Sequence, residues 1–193
     1  MTGRRDRIAR ALRWIAGVLD GLEVRWMVAG GLAARAHGAG RELHDIDLYV
    51  GEGALERILP EVGDHHAHGP RRHRDEHWDC LFLEVVHAGE EIELAEAARC
   101  RHRAGPDAPW HPAGADFDAA VRREVFGVEV PVMPREALVA YKRRLGREVD
   151  RRDLAELEEA GQRPSEPGAG DPDDAGTSKF ASRGDDDGKG AAR

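Results

Sequence analysis

The stretch VAGGLAARAHGAGRELHDIDLYV, from Val28 to Val50, places the strongest constraints on the fold of this 193-residue chain. An apolar segment ends at a pair of glycines, Gly30 and Gly31, and a short helical pattern follows them. The last six residues form two alternating sets: Ile46, Leu48 and Val50 against Asp45, Asp47 and Tyr49. This alternation predicts a β-strand with one face toward a core and one face that carries two carboxylates.

Asp45 and Asp47 lie on one face of the predicted strand, and such oxygen ligands suit one or two divalent cations. Without a cation, two like charges so close would repel each other, and the pKa of one carboxyl would rise. A solvated strand edge, or a cap followed by a turn, is the alternative interpretation. The apolar residues on the opposite face of the strand favour an embedded position.

Gly30 and Gly31 lie between a predicted strand and a predicted helix. At such a junction, backbone N–H groups can approach a phosphate closely, and the helix N-terminus adds its dipole. An ordinary turn that requires a positive φ is the alternative. Glycines suited to phosphate and carboxylates suited to a cation, so close in sequence, predict a metal–nucleotide site.

Helical and strand-like patterns alternate along the chain, which predicts a mixed α/β (α+β) domain with a small mixed sheet flanked by helices. The predicted helices cover residues 4–21, 32–37 and 54–62, a segment that starts at Pro134, and a last segment from about residue 149. The predicted strands cover residues 24–29, 45–50, 78–87, 91–94 and 128–132. Residues 63–76, GDHHAHGPRRHRDE, are predicted as a loop.

The last predicted helix has a candidate start signal. Asp150 suits the N-cap, Asp153 the third position of a capping box, and Val149 a hydrophobic contact with Leu154.

The composition excludes some classes of protein. A net charge of −8, from 37 acidic and 29 basic residues, excludes a chain-wide basic field for nucleic acid but not a local patch. No stretch approaches the roughly 20 apolar residues of a membrane span. The N-terminus lacks the apolar core and cleavage site of a signal peptide. We therefore expect a cytoplasmic protein.

The two cysteines, Cys80 and Cys100, lack the spacing of a disulfide framework. Cys80 is expected to pack within its strand, and metal binding by Cys100 beside His102 remains open. The histidines of residues 65–77 lack a zinc-binding motif, so loop histidines are expected there. With the neighbouring arginines, this run is an alternative contact for phosphates or for an acceptor substrate.

Residues 162–193 differ in composition from the rest of the chain. They are rich in Gly, Pro, Asp and Ser and contain one large apolar residue, Phe180. Such a segment cannot bury enough apolar surface to offset the entropy of ordering. We therefore predict one domain over residues 1–161 and a disordered acidic tail over 162–193, with a partner-binding peptide as the alternative role of the tail.

The spacing in the opening stretch resembles the signature of the nucleotidyltransferase superfamily with the polymerase-β-type fold. The residues that carry this resemblance are Gly30, Gly31, Ala33, His37, Gly38, Arg41, Asp45 and Asp47. It is most similar to lincosamide and aminoglycoside nucleotidyltransferases, and it also resembles the nucleotidyltransferase toxins of abortive-infection systems. The segment PREALVAYKRRLGREVDRRDLAEL, 134–157, extends the resemblance with a lysine-bearing helix and an Arg-x2-Asp-x2-Asp-Leu stretch.

The resemblance implies roles for individual residues. Asp45 and Asp47 would hold Mg²⁺ ions that bridge the phosphates of an NTP such as ATP, and Gly30 and Gly31 would cradle the triphosphate. The family places a third carboxylate on a neighbouring strand. Here the best match is Glu93, where family members often have Asp, and Glu84 and Glu91 are the alternatives.

Two basic residues are further candidates for nucleotide binding. Arg41 could reach the triphosphate, or it could form a salt bridge to Asp45 or Asp47. Lys142 lies on a helix of mixed charge, where a solvated face is the default, while the family permits contact with phosphates. The general base is open between Glu93 and a loop acid.

The resemblance thus implies a Mg²⁺-dependent enzyme that transfers a nucleoside monophosphate from an NTP to a hydroxyl acceptor and releases pyrophosphate. The acceptor is open between a small molecule and a macromolecule such as tRNA or a protein, and the acidic net charge favours a small molecule or a protein. The oligomeric state is also open. The alternative is a non-catalytic module, such as a toxin–antitoxin component, that binds a nucleotide or a partner. Whether Glu93 or Glu84 faces Asp45 and Asp47 distinguishes the two.

Overall fold

The structure is a computed structural model that describes residues 3–162. The predicted tail lies outside the described residues, except for Gln162, which ends the last helix. The helices are α1 (Arg4–Gly21), α2 (Gly30–Ala36), α3 (Ala54–Val62), α4 (Arg135–Leu145) and α5 (Glu148–Gln162), with a short 3₁₀ turn at Gly63–His65. The strands are β1 (Trp26–Val28), β2 (Ile46–Val50), β3 (His66–Arg74), β4 (Trp78–His87), β5 (Glu90–His102), β6 (His111–Pro112), β7 (Val121–Val125) and β8 (Val128–Val132).

The helix α1 has the bounds that its periodicity predicts. Its apolar residues recur every three to four positions, and Ile8, Leu12, Ile15 and Leu19 are buried. This buried stripe packs against α3 and against the β4, β5 and β8 strands. The helix α3, at residues 54–62, also has the predicted bounds.

The strands form one mixed sheet in the order β3–β4–β5–β2–β1–β8–β7, with β6 beside β5. The pairs β1–β8 and β2–β5 are parallel. The pairs β1–β2, β3–β4, β4–β5, β5–β6 and β7–β8 are antiparallel. This sheet, with its five helices, confirms the predicted mixed α+β class, and it adds β3, β6 and β7 to the strands that the sequence indicated.

The central pair of strands, β2 and β5, sets the two faces of the sheet. In their register Asp47 lies opposite Glu93, and Leu48 lies opposite Leu94. Because side chains alternate between the faces, the two acids share one face while the leucines point into the core, where both are buried.

The prediction of a loop for residues 63–76 is wrong, because most of this run forms β3, at the edge of the sheet. Its polar residues hide the strand pattern, since most of them are exposed on both faces. Gly69 and Pro70 fall where the register with β4 shifts, and an edge strand tolerates proline better than a central one does.

The predicted cap of the last helix is also wrong. The helix α5 starts at Glu148, so Asp150 is its third residue and not its N-cap. The carboxylate of Asp150 accepts a hydrogen bond from the backbone N–H of Arg147, as an acid at the third position of a capping box does. Asp153 has no exposed surface and binds basic side chains.

The cysteines form a pair that their spacing did not indicate. Cys80 and Cys100 lie opposite each other on β4 and β5, and their sulfurs are joined in a disulfide. Metal binding by Cys100 with His102 is therefore wrong. Among residues 3–162, no helix is both long enough and apolar enough to cross a bilayer.

Candidate functional site

A cleft of about 550 Å³ opens on the face of the sheet that carries Asp47 and Glu93. The segments that form its floor are β2, β5, the start of α2 and the end of α4. The residues that the sequence analysis preferred for metal and nucleotide binding all line this cleft: Gly30, Gly31, Arg41, Asp45, Asp47, Glu93 and Lys142.

Three carboxylates come together on this floor. Asp47 lies opposite Glu93 in the parallel register, so their side chains are neighbours on adjacent strands about 4.8 Å apart. Asp45 precedes the strand by one residue and shares the face of Asp47. Glu84 lies opposite Glu93 on the other side and also lines the cleft, whereas Glu91 does not.

The environment of Asp47 and Glu93 favours their neutral forms when no cation is present. Burial raises the pKa of Asp47 to about 7, and the charges of Asp45 and Glu93 add to the effect. The pKa of Glu93 is also raised to about 7, first by the loss of hydration within the cleft and then by Asp45 and Glu84. Repulsion within the group is what a bound cation would relieve.

Gly30 fits the turn above Asp47 in a way that a larger residue could not. Its φ is +55°, in the left-handed region that favours glycine. A Cβ atom at this position would overlap the Asp47 carboxylate. The backbone N–H of Gly31 also lowers the pKa of that carboxylate, which shows how close the glycine turn lies to Asp47.

Arg41 lies in the cleft but pairs with neither of the acids predicted for it. Its Nε lies 2.6 Å from Oδ1 of Asp153 on α5, and its guanidinium packs against Gly31. The alternative salt bridge to Asp45 or Asp47 is therefore wrong. Asp153 instead holds Arg41 beside the glycine turn.

Lys142 is buried, with 1% of its surface exposed, so the solvated-face interpretation is wrong. Its Nζ lies 2.7 Å from Asp153 and 3.5 Å from Asp150, and its charge lowers the pKa of Asp47. Asp150 also accepts hydrogen bonds from Arg147, a third basic residue of the cleft. The spacing Arg-x2-Asp-x2-Asp at the start of α5, which carries part of the family resemblance, is the sequence signal for this network.

The far wall of the cleft consists of residues that sequence reasoning missed or left open. Trp78, Phe82 and Tyr141 supply aromatic surface, and Arg71 and His73 come from the strand that was predicted as a loop. The guanidinium of Arg71 lies 5.4 Å from the Phe82 ring centre. Only the pairing of β3 with β4, which sequence periodicity did not indicate, could have placed these residues here.

Other candidate residues lie elsewhere. The Nε2 of His37 contacts the backbone oxygen of Met133 at 2.8 Å, which is a packing role. Burial lowers the pKa of His102 to about 4, and this ring lies behind the wall, against Tyr141 and Trp78.

The donor set fits Mg²⁺ in its chemistry. Within residues 3–162, no group of three His, Cys, Asp or Glu side chains is close enough to hold a metal ion as it stands. Mg²⁺ in nucleotide sites is usually held by one or two carboxylates together with substrate phosphates and water, so a complete protein cage is not required. Asp45, Asp47 and Glu93 would supply the oxygens for such a site.

Neither a protein-family model nor a curated protein matches the sequence. Solved structures do match the fold. One is a candidate nucleotidyltransferase from Thermotoga maritima, at 25% identity and a TM-score of 0.61, over 80% of this chain and 94% of that one. Another is the lincosamide antibiotic adenylyltransferase LnuA in its lincomycin-bound form, at 15% identity and a TM-score of 0.53, over 78% of this chain and 96% of that one.

A third similar structure is ANT(2'')-Ia in complex with adenylyl-2''-tobramycin, at 19% identity and a TM-score of 0.44, over 69% of this chain and 74% of that one. The first two likenesses confirm the predicted resemblance at the level of the fold. This chain has the nucleotidyltransferase fold.

Proposed function

We propose that this chain is a nucleotidyltransferase that moves a nucleoside monophosphate from an NTP to a hydroxyl acceptor with the help of Mg²⁺. The observation that carries the proposal is the shared face of Asp45, Asp47 and Glu93 at the floor of the cleft, directly below Gly30. The fold of the similar solved structures supports the same reaction class.

The donor nucleotide would lie with its phosphates beside the glycine turn. Arg41, Lys142 and Arg147 border this region, and Asp150 and Asp153 hold them in place. Three positive and two negative side chains leave a formal charge of only +1. This charge is far from neutralising a triphosphate, so a divalent cation on the carboxylates is needed in addition.

The reaction forms one bond and breaks one. The oxygen of the acceptor hydroxyl attacks the α-phosphorus, and the bond from this phosphorus to the bridging oxygen of the β-phosphate breaks. Pyrophosphate leaves with the electron pair, and the hydroxyl proton passes to a carboxylate. We assign this proton to Glu93, which lines the cleft beside Asp47. A bound cation would stabilise the attacking and leaving oxygens.

The acceptor would enter along the far wall, between the carboxylates and the residues Arg71, His73, Trp78 and Phe82. Aromatic surface here can pack against a ring or a sugar, and the basic groups can bind an anionic substituent. The acceptor can be a small molecule or the end of a larger one.

The proposal is tested with the four NTPs, each labelled at the α-phosphate, incubated with Mg²⁺ and a panel of hydroxylated small molecules, RNA and protein. The wild type is compared with Asp45→Asn/Asp47→Asn and with a charge-matched control, Glu61→Gln/Asp64→Asn, whose residues are exposed on α3 and the turn after it. Label transfer is expected from the wild type and the control and not from the first variant. Transfer that survives in Asp45→Asn/Asp47→Asn would overturn the site assignment.

A non-catalytic nucleotide-binding module on the same fold is the second candidate, although Glu93 lies beside Asp47, as the catalytic proposal requires. Titration calorimetry with each NTP and Mg²⁺ separates the two. Nucleotide binding that requires Asp45 and Asp47, without transfer to any acceptor of the panel, would favour the module.

A further inference from the structure

The sheet extends beyond the cleft through β3, β4 and the second half of β5, and its two faces differ. Along β3, Arg71 and His73 line the cleft, so the alternating Arg72 and Arg74 point to the opposite side. A second row of basic residues on β5 and just after it lies on that same side. We call this surface the arginine face, and it consists of Arg72, Arg74, Arg99, Arg101 and Arg103.

Asp79 and Trp110 hold the arginines of this face in place. Asp79 on β4 has 1% exposure and lies between the rows, with its Oδ2 2.7 Å from Nη2 of both Arg72 and Arg101. The ring of Trp110 lies 4.4 Å from the guanidinium carbon of Arg103 and 5.5 Å from that of Arg74. These contacts hold the guanidinium groups in a set geometry, and much of each side chain remains in solvent.

The charge of this face is opposite to that of the whole chain. Its acidic partners within residues 3–162 are Asp79 and, at 4.0 Å from Arg99, Glu96. Five arginines and two acids give a formal charge of +3, on a chain with a net charge of −8. The side chains of Arg72, Arg74 and Arg99 are 64%, 58% and 59% exposed, so part of each guanidinium group is open to a partner in solvent.

A concave surface of about 500 Å³ lies at the centre of the arginine face, lined by Arg72, Arg99, Arg101 and Trp110. The two rows stand on β3 and β5, with one strand between them, which puts them about 9.6 Å apart. A linear anion could lie between two such rows and receive hydrogen bonds from both sides.

We propose that the arginine face binds the phosphate backbone of a single nucleic-acid strand. Guanidinium groups match phosphate oxygens with two parallel hydrogen bonds. Arginines combined with an aromatic ring are typical of surfaces that bind single strands. Since none of the five arginines lines the cleft, this surface is separate from the proposed catalytic site and does not depend on it.

The test measures fluorescence anisotropy of labelled 20-nucleotide uridine RNA and thymidine DNA with the full chain, from about 50 to 200 mM salt. The key variant is Arg74→Gln/Arg99→Gln, which keeps the pairs of Asp79 with Arg72 and Arg101. The matched control is Arg10→Gln/Arg13→Gln, which removes the same charge from exposed positions of α1.

We expect the wild type to bind a strand with an affinity that falls steeply with salt. The Arg74→Gln/Arg99→Gln variant should bind at least about fivefold more weakly, and its salt slope should be shallower by about 1.4, at roughly 0.7 for each lost phosphate contact. The control should match the wild type. Tighter binding of RNA than of DNA, or the reverse, identifies the kind of strand.

Three results would overturn the proposal. The first is that neither strand binds at about 50 mM salt. The second is that the control variant loses as much affinity as Arg74→Gln/Arg99→Gln. The third is that a labelled polyglutamate chain of equal length binds as tightly as the strands, which would assign the face to an acidic protein instead.

Discussion

Gly30 connects backbone conformation to the chemistry of the cleft at the scale of one residue. Its left-handed φ turns the chain from β1 into α2, and the missing side chain leaves space for the Asp47 carboxylate. A Cβ atom at position 30 would therefore both strain the backbone and displace Asp47, a proposed metal ligand. These two effects can be separated, because Gly53 also has a positive φ but leaves room for a Cβ atom.

We predict that Gly30→Ala abolishes label transfer and destabilises the protein by more than Gly53→Ala does. Gly53 has φ +70°, and a Cβ there meets no atom within 4 Å, so alanine at that position adds only backbone strain, about 1–2 kcal/mol. Gly53→Ala should keep the wild-type activity. Denaturant unfolding and the transfer assay measure the two effects, and equal loss of activity in both variants would contradict this account.

The raised pKa of Asp47 predicts that the difference in stability between the wild type and Asp47→Asn depends on pH. This pKa is about 7 in the folded protein, against a model-compound value of 3.8, so the folded state binds more protons between these values. The contribution of Asp47 to stability therefore falls as the pH rises from about 4 to about 7 and is constant above that. Asp47→Asn removes this contribution.

The melting temperature of Asp47→Asn, relative to the wild type without divalent cations, should accordingly increase between about pH 5 and pH 8. The exposed Asp64→Asn serves as the control, and its difference from the wild type should not change. Millimolar Mg²⁺ should reduce the difference at pH 8 if the wild type binds the ion. A melting-temperature difference that stays constant across this pH range would contradict the raised pKa of Asp47.

At the scale of secondary-structure elements, the register of β2 with β5 and the packing of α4 against α5 build the two halves of the site. The first places Glu93 beside Asp47, and the second fixes Lys142 through Asp150 and Asp153. These buried acids also hold Arg41 and Arg147, so the helices position three basic residues around the nucleotide region.

We predict that Lys142→Met destabilises the protein by about 3–5 kcal/mol, because two buried carboxylates lose their shared partner. The neighbouring Arg143→Met is the matched control. Arg143 is 65% exposed and pairs with an exposed Glu158, so its loss should cost no more than about 1 kcal/mol. Unfolding in urea measures both, and similar values for the two variants would contradict the structural role of Lys142.

Periodicity in the sequence was sufficient for the elements that bury an apolar face. The α1 and α3 helices and the β2 strand have such faces, and their predicted bounds agree with the structure to within one residue. It was not sufficient for β3, whose residues are mostly exposed on both sides. It was also not sufficient for the cap of α5, where Asp153 was assigned to a capping box and instead pairs with Arg41 and Lys142. In both cases the deciding partner is distant in sequence.

The same limit applies to the candidate site. Asp45, Asp47, Gly30 and Gly31 could be predicted because they lie within one short segment. Glu93 could be placed only by its resemblance to a family pattern, since strand register is a tertiary property. The far wall of the cleft and the arginine face depend on which strands are neighbours, and spacing within a single chain does not contain that information.

At the scale of the whole molecule, different parts of the sheet carry different candidate sites. Its centre carries the carboxylates, its extension through β3 and β4 carries the far wall and the arginine face, and the start of α5 borders the proposed nucleotide region. All of these parts lie between residues 3 and 162. The domain boundary predicted near residue 161 therefore implies a specific result for shortened chains.

We predict that a chain ending at Gln162 keeps the free energy of unfolding and the transfer activity of the full chain. The composition of residues 163–193, with Phe180 as the single large apolar residue, offers little surface to bury. A chain ending at Arg147 is the contrasting variant. It lacks α5, whose Leu157 is fully buried and whose acids neutralise Lys142, so it should not unfold cooperatively. Urea titration followed by circular dichroism compares the three chains. If the chain ending at Gln162 lost more than about 2 kcal/mol, residues beyond 162 would have to pack against the domain, and the predicted boundary would be wrong.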